Sequence, residues 1–150
     1  MTRPFPLQTV LELMQTRADE ATQQLARLIA SERDAKSKLD LLQQYRDEYA
    51  TRFREAAQNG MTRIQWQNYQ EFLNRLDEAI SQQHQNVAQQ ERNTATGQMN
   101  WQQQRKNLKA IDTLSDRHFS RENTREVKRE QKAQDEFAAR PKDVDSSKPH

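Results

Sequence analysis

Residues 39–80 read LDLLQQYRDEYATRFREAAQNGMTRIQWQNYQEFLNRLDEAI, two amphipathic stretches separated by an Asn-Gly pair. In each stretch, apolar residues recur at alternating intervals of three and four, the seven-residue repeat of coiled-coil helices. Asn59-Gly60 interrupts the repeat, because glycine readily adopts the left-handed conformation that ends a helix. Thr62 and Gln65 have the spacing of a capping box, which begins a new helix. The segment therefore predicts two helices joined by a tight turn.

The apolar repeat extends toward the N-terminus over a predicted first helix at about 7–57. From Leu11 to Ala56, twelve of the fourteen repeat positions are apolar, and Glu32 and Arg46 are the exceptions. A repeat of 3.5 residues drifts on a helix of about 3.6 residues per turn, so helices that carry it wind around each other left-handedly. Disordered chains do not maintain such a pattern, and the repeat therefore favours a coiled coil over disorder.

A second helix, predicted at about 62–139, keeps the same repeat from Trp66 to Ile111. When the chain is folded at Gly60, the two apolar stripes pair antiparallel, and facing residues have numbers that add to 118 or 119. Phe53 then lies opposite Trp66, and one register serves the whole length. The sequence predicts an all-α fold in which two long helices form an antiparallel, left-handed coiled-coil hairpin and the second helix is the longer one.

The predicted organisation is a single coiled-coil rod at 1–140 followed by a flexible polar tail at 141–150. Pairing within one chain explains both stripes, so we expect the isolated protein to be a monomer. Gly97 is expected to face Ala21, where small residues make room for the bulky Trp101. In a parallel homodimer, Gly97 and Trp101 would each face its own copy, which is a poorer fit.

Composition narrows the possible function classes. The chain has 150 residues, 31% charged and 33% hydrophobic, with two glycines, four prolines, no cysteine and a net charge of +2. The lack of cysteine excludes disulfides and thiolate chemistry and suits a reducing cytosol. Acidic and basic residues are balanced along the chain, so we expect no nucleic-acid partner. The start MTRPFPLQTV lacks the apolar core of a signal peptide, and no apolar run reaches the roughly 18 residues of a membrane span.

Catalytic and ligand-binding motifs are missing from the sequence. Its two glycines, Gly60 and Gly97, are too far apart to build a phosphate-binding loop. His84, His118 and His150 lack the mutual spacing of a metal site, and the carboxylates alternate with basic residues as on a solvated helix surface. A two-helix rod has no enclosed pocket. We therefore expect no enzymatic activity, catalytic residue, cofactor, metal or small-molecule substrate, and a role in binding other proteins.

The middle of the predicted seam is weaker than the part near the turn. There the apolar residues Ala35 and Leu28 face the amides Gln83 and Gln90. One interpretation is a marginal coiled coil whose glutamines extend to water. The other is a compliant shaft that tolerates bending. Under both interpretations, the half near the turn is the more stable one.

The second helix is expected to outrun its partner beyond residue 113. The stretch RENTREVKREQK at 121–132 is charged all round, with opposite charges three and four residues apart that support an isolated helix. A helix with no apolar face to bury either awaits a partner or frays, and the sequence leaves both open.

Apolar residues outside the stripe lie near the turn. Tyr45 and Phe72 each precede a stripe residue by one position, so we expect them to be neighbours along one edge of the hairpin. Exposed aromatic residues often mark interaction sites, whereas the alternative is that both simply widen the seam. We call these two residues and the adjoining positions the turn-proximal patch: Lys38, Leu42, Tyr45, Tyr49, Phe72, Leu76, Ala79 and Gln83.

Several segments resemble the FliJ family, the stalk and chaperone-escort proteins of bacterial flagellar type III export. The resemblance is strongest in LQQYRDEY at 42–49, in the Asn-Gly turn, and in WQNYQEFLNRLDEAI at 66–80, and it includes KAQDEFAAR at 132–140. The Trp-x-x-Tyr-x-x-Phe spacing that begins at Trp66 is more specific than a heptad repeat alone. The similarity covers the chain from about residue 7 to residue 140.

This resemblance implies an antiparallel coiled coil similar to the rotor shaft of rotary ATP synthases. It implies that the turn-proximal patch binds the cytoplasmic domain of the export gate. It also implies that the end far from the turn enters the export ATPase hexamer and promotes its assembly. The residues expected to contact the ATPase ring are Leu13, Arg17, Arg121, Arg125, Lys128 and Arg129.

The resemblance further implies that the protein receives export chaperones and resides in the cytoplasm. There the export apparatus would hold it peripherally at the cytoplasmic face of the inner membrane. Two alternatives remain on the sequence. One is a structural coiled-coil spacer with no coupling role, and the other is the equivalent stalk of a virulence type III secretion system.

Overall fold

A computed structural model of the protein describes residues 3–140, which form two α-helices that pack against each other. Helix α1 spans Gln8–Gln58 and helix α2 spans Arg63–Ala139. The predicted ranges, 7–57 and 62–139, differ from these by no more than one residue at each end. No strand is present in the described residues, so the prediction of an all-α helical hairpin is confirmed. The predicted polar tail lies outside the described residues.

The turn between the helices has the local geometry that the sequence predicts. Gly60 has φ of +95°, a left-handed conformation that favours glycine because it carries no Cβ. On the other side of the turn, the backbone N–H of Gln65 donates to Thr62 Oγ1 at 3.2 Å, and the backbone N–H of Thr62 donates to Gln65 Oε1 at 3.1 Å. These reciprocal bonds form a capping box, which satisfies donors that the first turn of α2 leaves unpaired.

The chain divides into two compact units. The hairpin unit runs from Arg17 to Gln104 and contains the turn, and the terminal unit combines the N-terminal residues up to Thr16 with the residues from Arg105 onward. In the hairpin unit, the buried apolar residues all occupy predicted stripe positions: Ala18, Ala21, Ala35, Leu73, Leu76 and Val87. The seven-residue repeat therefore identifies the core of this unit correctly.

Aromatic pairs next to the turn fix the register of the hairpin unit. The ring centroids of Tyr49 and Tyr69 are 5.2 Å apart, and those of Phe53 and Trp66 are 6.5 Å apart. Both pairs are the ones that the predicted register places opposite each other. Offset and tilted aromatic contacts of this kind stabilise a seam beyond the area that they bury.

Trp101 shows how side-chain direction changes the contacts expected from residue numbers. Its indole Nε1 donates to Thr22 Oγ1 at 3.0 Å, although the register places Trp101 opposite Ala18. Helical side chains lean toward the N-terminus of their own helix. In an antiparallel pair this lean carries the indole toward the turn, which brings it alongside the next turn of α1. The register is therefore retained, and the contact lies one helical turn from the expected one.

Gly97 packs against two leucines rather than against Ala21 alone. A Cβ at position 97 would overlap Leu28 Cδ1 and would lie 3.8 Å from Leu25 Cδ1. The missing side chain therefore makes room for leucines that lean across from α1. The prediction that a small residue is needed here is correct, but the group that fills the space is Leu28.

In the middle of the seam, two polar side chains of α2 donate hydrogen bonds to α1. Gln83 Nε2 donates to the backbone carbonyl of Ala35 at 2.9 Å, and Thr94 Oγ1 donates to the carbonyl of Leu28 at 3.3 Å. Gln83 therefore does not extend to water, which was one interpretation of the sequence. Since both acceptors belong to α1, these polar side chains tie the helices together where apolar contacts are few.

The terminal unit differs from expectation, because α2 does not lose its partner at residue 113. The residues preceding α1 pack against α2, where Phe5 is only 7% exposed and Ser115 and Glu122 are 5% exposed. Pro4 and Pro6 exclude this segment from a helix, and the backbone N–H of Gln8 donates to the carbonyl of Phe5 at 3.0 Å, which closes a turn just before α1. We call residues 3–7 the N-terminal strap.

Candidate partner-binding surfaces

The turn-proximal patch is centred on two aromatic residues that contact each other. The ring centroids of Tyr45 and Phe72 are 6.3 Å apart in an edge-to-face arrangement. The ring centroids of Phe72 and Tyr49 are 4.3 Å apart. Tyr45 is 51% exposed, whereas Phe72 and Tyr49 are half-buried. Phe72 is therefore supported by both tyrosines, and Tyr45 presents most of its ring to solvent.

The other predicted members of the patch divide into surface and seam. Lys38 is exposed, and Leu42 and Ala79 are half-buried. Leu76 is only 8% exposed, so it belongs to the seam beneath the patch and offers almost no surface to a partner. Gln83 is half-buried and its amide is bonded to α1 as described above.

Leu41 is an exposed apolar residue that the sequence analysis did not include. It is 65% exposed and precedes Tyr45 by four residues, which places both side chains on the same face of α1. Leu41 precedes the stripe residue Leu42 by one position, which is the relation that Tyr45 has to Arg46. The signal that identifies it is an apolar residue one helical turn before an exposed aromatic one.

An ion pair between the helices borders the patch. Arg46 Nε donates to Asp77 Oδ1 at 2.6 Å, although the register places Arg46 opposite Leu73. This hydrogen bond, with the attraction of the Asp77 charge, raises the pKa of Arg46 above its ordinary value. Both side chains are partly exposed, so the pair contributes little stability, but it ties α1 to α2 beside Tyr45.

The predicted ATPase-contacting residues are exposed and belong to both units. Arg17 lies in the hairpin unit, whereas Leu13 and the four basic residues of α2 lie in the terminal unit. Arg125 Nη1 donates to Glu122 Oε1 at 3.2 Å. Arg117, Ser120, Arg121, Thr124 and Arg125 border a shallow surface groove of about 380 Å³. Three arginines around one groove form an anion-attracting surface.

Grouped metal ligands and membrane-spanning helices are both absent from residues 3–140. Between residues 3 and 140, no three His, Cys, Asp or Glu side chains are grouped closely enough to hold a metal ion. In the same range, polar side chains are too dense along both helices for either one to span a bilayer.

Comparison with known proteins identifies the family of this hairpin. The family model described as "Flagellar FliJ protein" matches residues 3–141, which is nearly the whole chain. The chain belongs to this family. The resemblance inferred from the sequence is thereby confirmed, and the family makes the protein a component of flagellar export.

Two flagellar FliJ proteins illustrate the relationship. The protein from Salmonella typhi is 29% identical over 134 residues, which cover 89% of this chain and 91% of the relative. The protein from Escherichia coli K12 is 28% identical over 134 residues, with the same coverage of both chains. The match spans both helices and the turn, so it includes the turn-proximal patch and the arginine groove.

Proposed function

We propose that this protein is a non-catalytic, rotor-like stalk of the flagellar type III export apparatus. In this proposal, the turn-proximal patch binds the cytoplasmic domain of the export gate. Leu13, Arg17 and the exposed basic residues of α2 contact the export ATPase hexamer and promote its assembly. The protein also escorts export chaperones, and it resides at the cytoplasmic face of the inner membrane because it is held there by the apparatus.

The contact between exposed Tyr45 and half-buried Phe72 is the observation that carries the gate-binding role. Aromatic residues supply a disproportionate share of interface energy when a partner covers them. Both rings sit on helices that the aromatic seam and the Arg46–Asp77 pair hold together, so little conformational entropy is lost on binding. With Leu41 included, the patch joins two aromatic rings to an exposed leucine.

The same structure supports a monomeric stalk before assembly. The apolar stripes of the hairpin unit are buried against each other within one chain, and Gln83 is hydrogen-bonded to α1. A second copy therefore has no unsatisfied seam to bind in this unit. A monomer leaves its outer surfaces available to the gate and to the ATPase.

A double variant tests the gate-binding role. We expect Tyr45→Ala with Phe72→Ala to reduce binding to the purified gate cytoplasmic domain at least ten-fold, because two central aromatic contacts each contribute about 1 kcal/mol or more. The matched control is Ile64→Ala with Met99→Ala, which removes two exposed apolar residues outside the patch. Circular dichroism should show unchanged helicity in both variants, and swarming motility should fall only in the first. Equal gate binding by the two variants would refute the proposal.

A truncation distinguishes a stalk from a structural spacer. Because the N-terminal strap packs on residues 115–122, the truncation should begin at residue 127 so that this contact is kept. The truncation removes Lys128 and Arg129 from the proposed contact, so a stalk should stimulate ATP hydrolysis by the export ATPase less than the full chain does. A spacer, which serves only to hold two components apart, shows no stimulation in either form.

A further inference from the structure

The α2 segment from Asp116 to Lys132 separates its charges by sign. At about 100° per residue, its six cationic side chains fall within an arc of roughly 120° around the helix. The four carboxylates at 116, 122, 126 and 130 lie on the remaining part of the circumference. We call the cationic residues the basic flank, and all six are exposed: Arg117, Arg121, Arg125, Lys128, Arg129 and Lys132.

This separation is not apparent when the charges are read along the sequence, where acids and bases alternate. It also contrasts with the hairpin unit, in which opposite charges meet. Lys36 Nζ there lies 3.9 Å from Glu32 Oε2 and 3.7 Å from Glu91 Oε1, and Arg46 is paired with Asp77. On the basic flank, Arg125 contacts Glu122, which lies beyond the border of the arc. The flank thus concentrates positive charge on one side of the helix, with the carboxylates beyond its borders.

The groove on this flank shows which chemistry suits it. Arg117, Arg121 and Arg125 project from successive turns around a space of about 380 Å³, and Ser120 and Thr124 line the same space. A guanidinium binds a carboxylate through two parallel hydrogen bonds. The flank extends over about 24 Å of helix, so it can contact a row of carboxylates rather than a single one.

We infer that the basic flank is a docking surface for an acidic protein surface, which contacts α2 on this one side. The inference rests on the proposed function, because it specifies the chemistry by which the terminal unit binds its ring partner. The acidic side of the same helix repels such a partner, so the attraction fixes the orientation as well as the site. The contact is therefore electrostatic and one-sided.

An anionic membrane fits this flank less well than a protein does. Helices that lie on membranes insert an apolar face beside their basic residues. Between residues 117 and 132, the arc of the basic flank contains no apolar side chain. Apolar residues adjoin the flank only at its N-terminal end, where Phe5, Leu7 and Leu114 line a cavity with Arg117 and Arg121. A polyanion that surrounds the helix would also meet the carboxylates on its other side. An acidic protein surface avoids both problems.

A charge-neutralised variant with a matched control tests the inference. The flank variant is Arg117→Gln with Arg121→Gln and Lys128→Gln, and the control is Arg33→Gln with Arg54→Gln and Arg75→Gln. Both lose three exposed positive charges, and glutamine keeps a high helix propensity. Three probes are used: immobilised poly-L-glutamate, the purified export ATPase encoded by the same genome, and vesicles rich in phosphatidylglycerol. Circular dichroism verifies that both variants fold.

We expect the flank variant to bind poly-L-glutamate and the ATPase about ten-fold more weakly than the wild type, because three exposed ion pairs each contribute a factor of about two to three. Its affinity should also depend less on salt, whereas the control should remain within about two-fold of the wild type. The inference fails if both variants lose affinity equally, or if only vesicle binding falls.

Binding of the purified export ATPase to the wild type and to the flank variant shows whether this inference or the proposed function is at fault. If the ATPase binds the wild type and the flank variant equally, the inference is wrong and the stalk proposal stands. If poly-L-glutamate binding depends on the flank but the ATPase does not bind the wild type, the stalk proposal fails and the inference stands.

Discussion

Phe5 lies against His118, with ring centroids 5.4 Å apart, and His118 Nε2 donates to the carbonyl of Arg3 at 3.0 Å. An aromatic contact and a hydrogen bond thus attach the N-terminal strap to α2. The strap is too short to show a periodic pattern, yet Ser115 and Glu122 are buried in the segment of α2 that it covers. It therefore extends the folded part of the terminal unit beyond the first turn of α1.

The contact of Phe5 predicts a local loss of stability when the ring is removed. We expect Phe5→Ala to cost about 2–3 kcal/mol of local stability, because most of the burial of the ring is lost. Hydrogen exchange should accelerate at amides near 115–122 and remain unchanged near the turn. The control is Phe137→Ala, since Phe137 is exposed. Equal exchange rates in the two variants would show that the strap does not protect α2.

The close packing of Leu28 on Gly97 predicts that stability depends on the size of a side chain introduced at position 97. A single methyl group at this position displaces the end of Leu28, but it also gains about 1 kcal/mol of helix propensity, so Gly97→Ala should be nearly neutral. Gly97→Leu should destabilise the hairpin by about 2–3 kcal/mol, because the space is already filled. Thermal unfolding measures both effects. Ala95→Leu, at an exposed position of the same helical turn, should leave the melting temperature almost unchanged, and a similar loss there would contradict the packing argument.

The hydrogen bond of Gln83 to α1 predicts that truncating this side chain and replacing it with an apolar one change the stability of the hairpin differently. Gln83→Ala should cost about 1–2 kcal/mol, because it removes the hydrogen bond to Ala35 and most of the packing of the side chain. Gln83→Leu should be neutral or stabilising, since the Ala35 carbonyl keeps its bond within α1. Denaturant unfolding distinguishes the two, with the exposed Gln82→Ala as control. A large loss in Gln83→Leu would show that the amide is required for another reason.

The exposure of Leu41 predicts that substituting it weakens binding to the export gate but leaves folding unchanged. Because it shares a face with Tyr45 and is largely exposed, Leu41→Ser should weaken gate binding about three- to ten-fold while helicity is unchanged. Ile29→Ser removes an exposed apolar residue of the same helix outside the patch, and it should bind normally. Calorimetric titration with the gate cytoplasmic domain measures both. Normal binding by Leu41→Ser would confine the patch to its aromatic residues.

The parts of the fold that the sequence predicts well are those encoded by neighbouring residues. The seven-residue repeat locates the seam, and the capping box at Thr62 with the glycine at position 60 locates the turn within one residue. The position of the Tyr45–Phe72 pair follows from the same register. Each of these features depends on spacing along the chain, which the sequence displays directly.

Among the features that the sequence analysis missed, only the strap depends on a contact that spacing does not encode. The strap packs on a segment more than a hundred residues away, and its two prolines give no helical pattern. The basic flank becomes visible only after the residues are projected around α2. Leu41 has the same offset from the stripe as Tyr45, and its exposure in the structure is what marks it as part of the surface.

The hydrogen bond between Arg3 and His118 has a consequence for biosynthesis. The residues on either side of Gly60 leave the ribosome close together in time. Because the loop between them is short, pairing of the two helices can begin at the turn and proceed away from it. Arg3 and Phe5 are translated before the turn but must wait for His118, which is translated more than a hundred residues later. The strap is thus made before the turn but packs after it, and Phe5 remains available to other molecules during that interval.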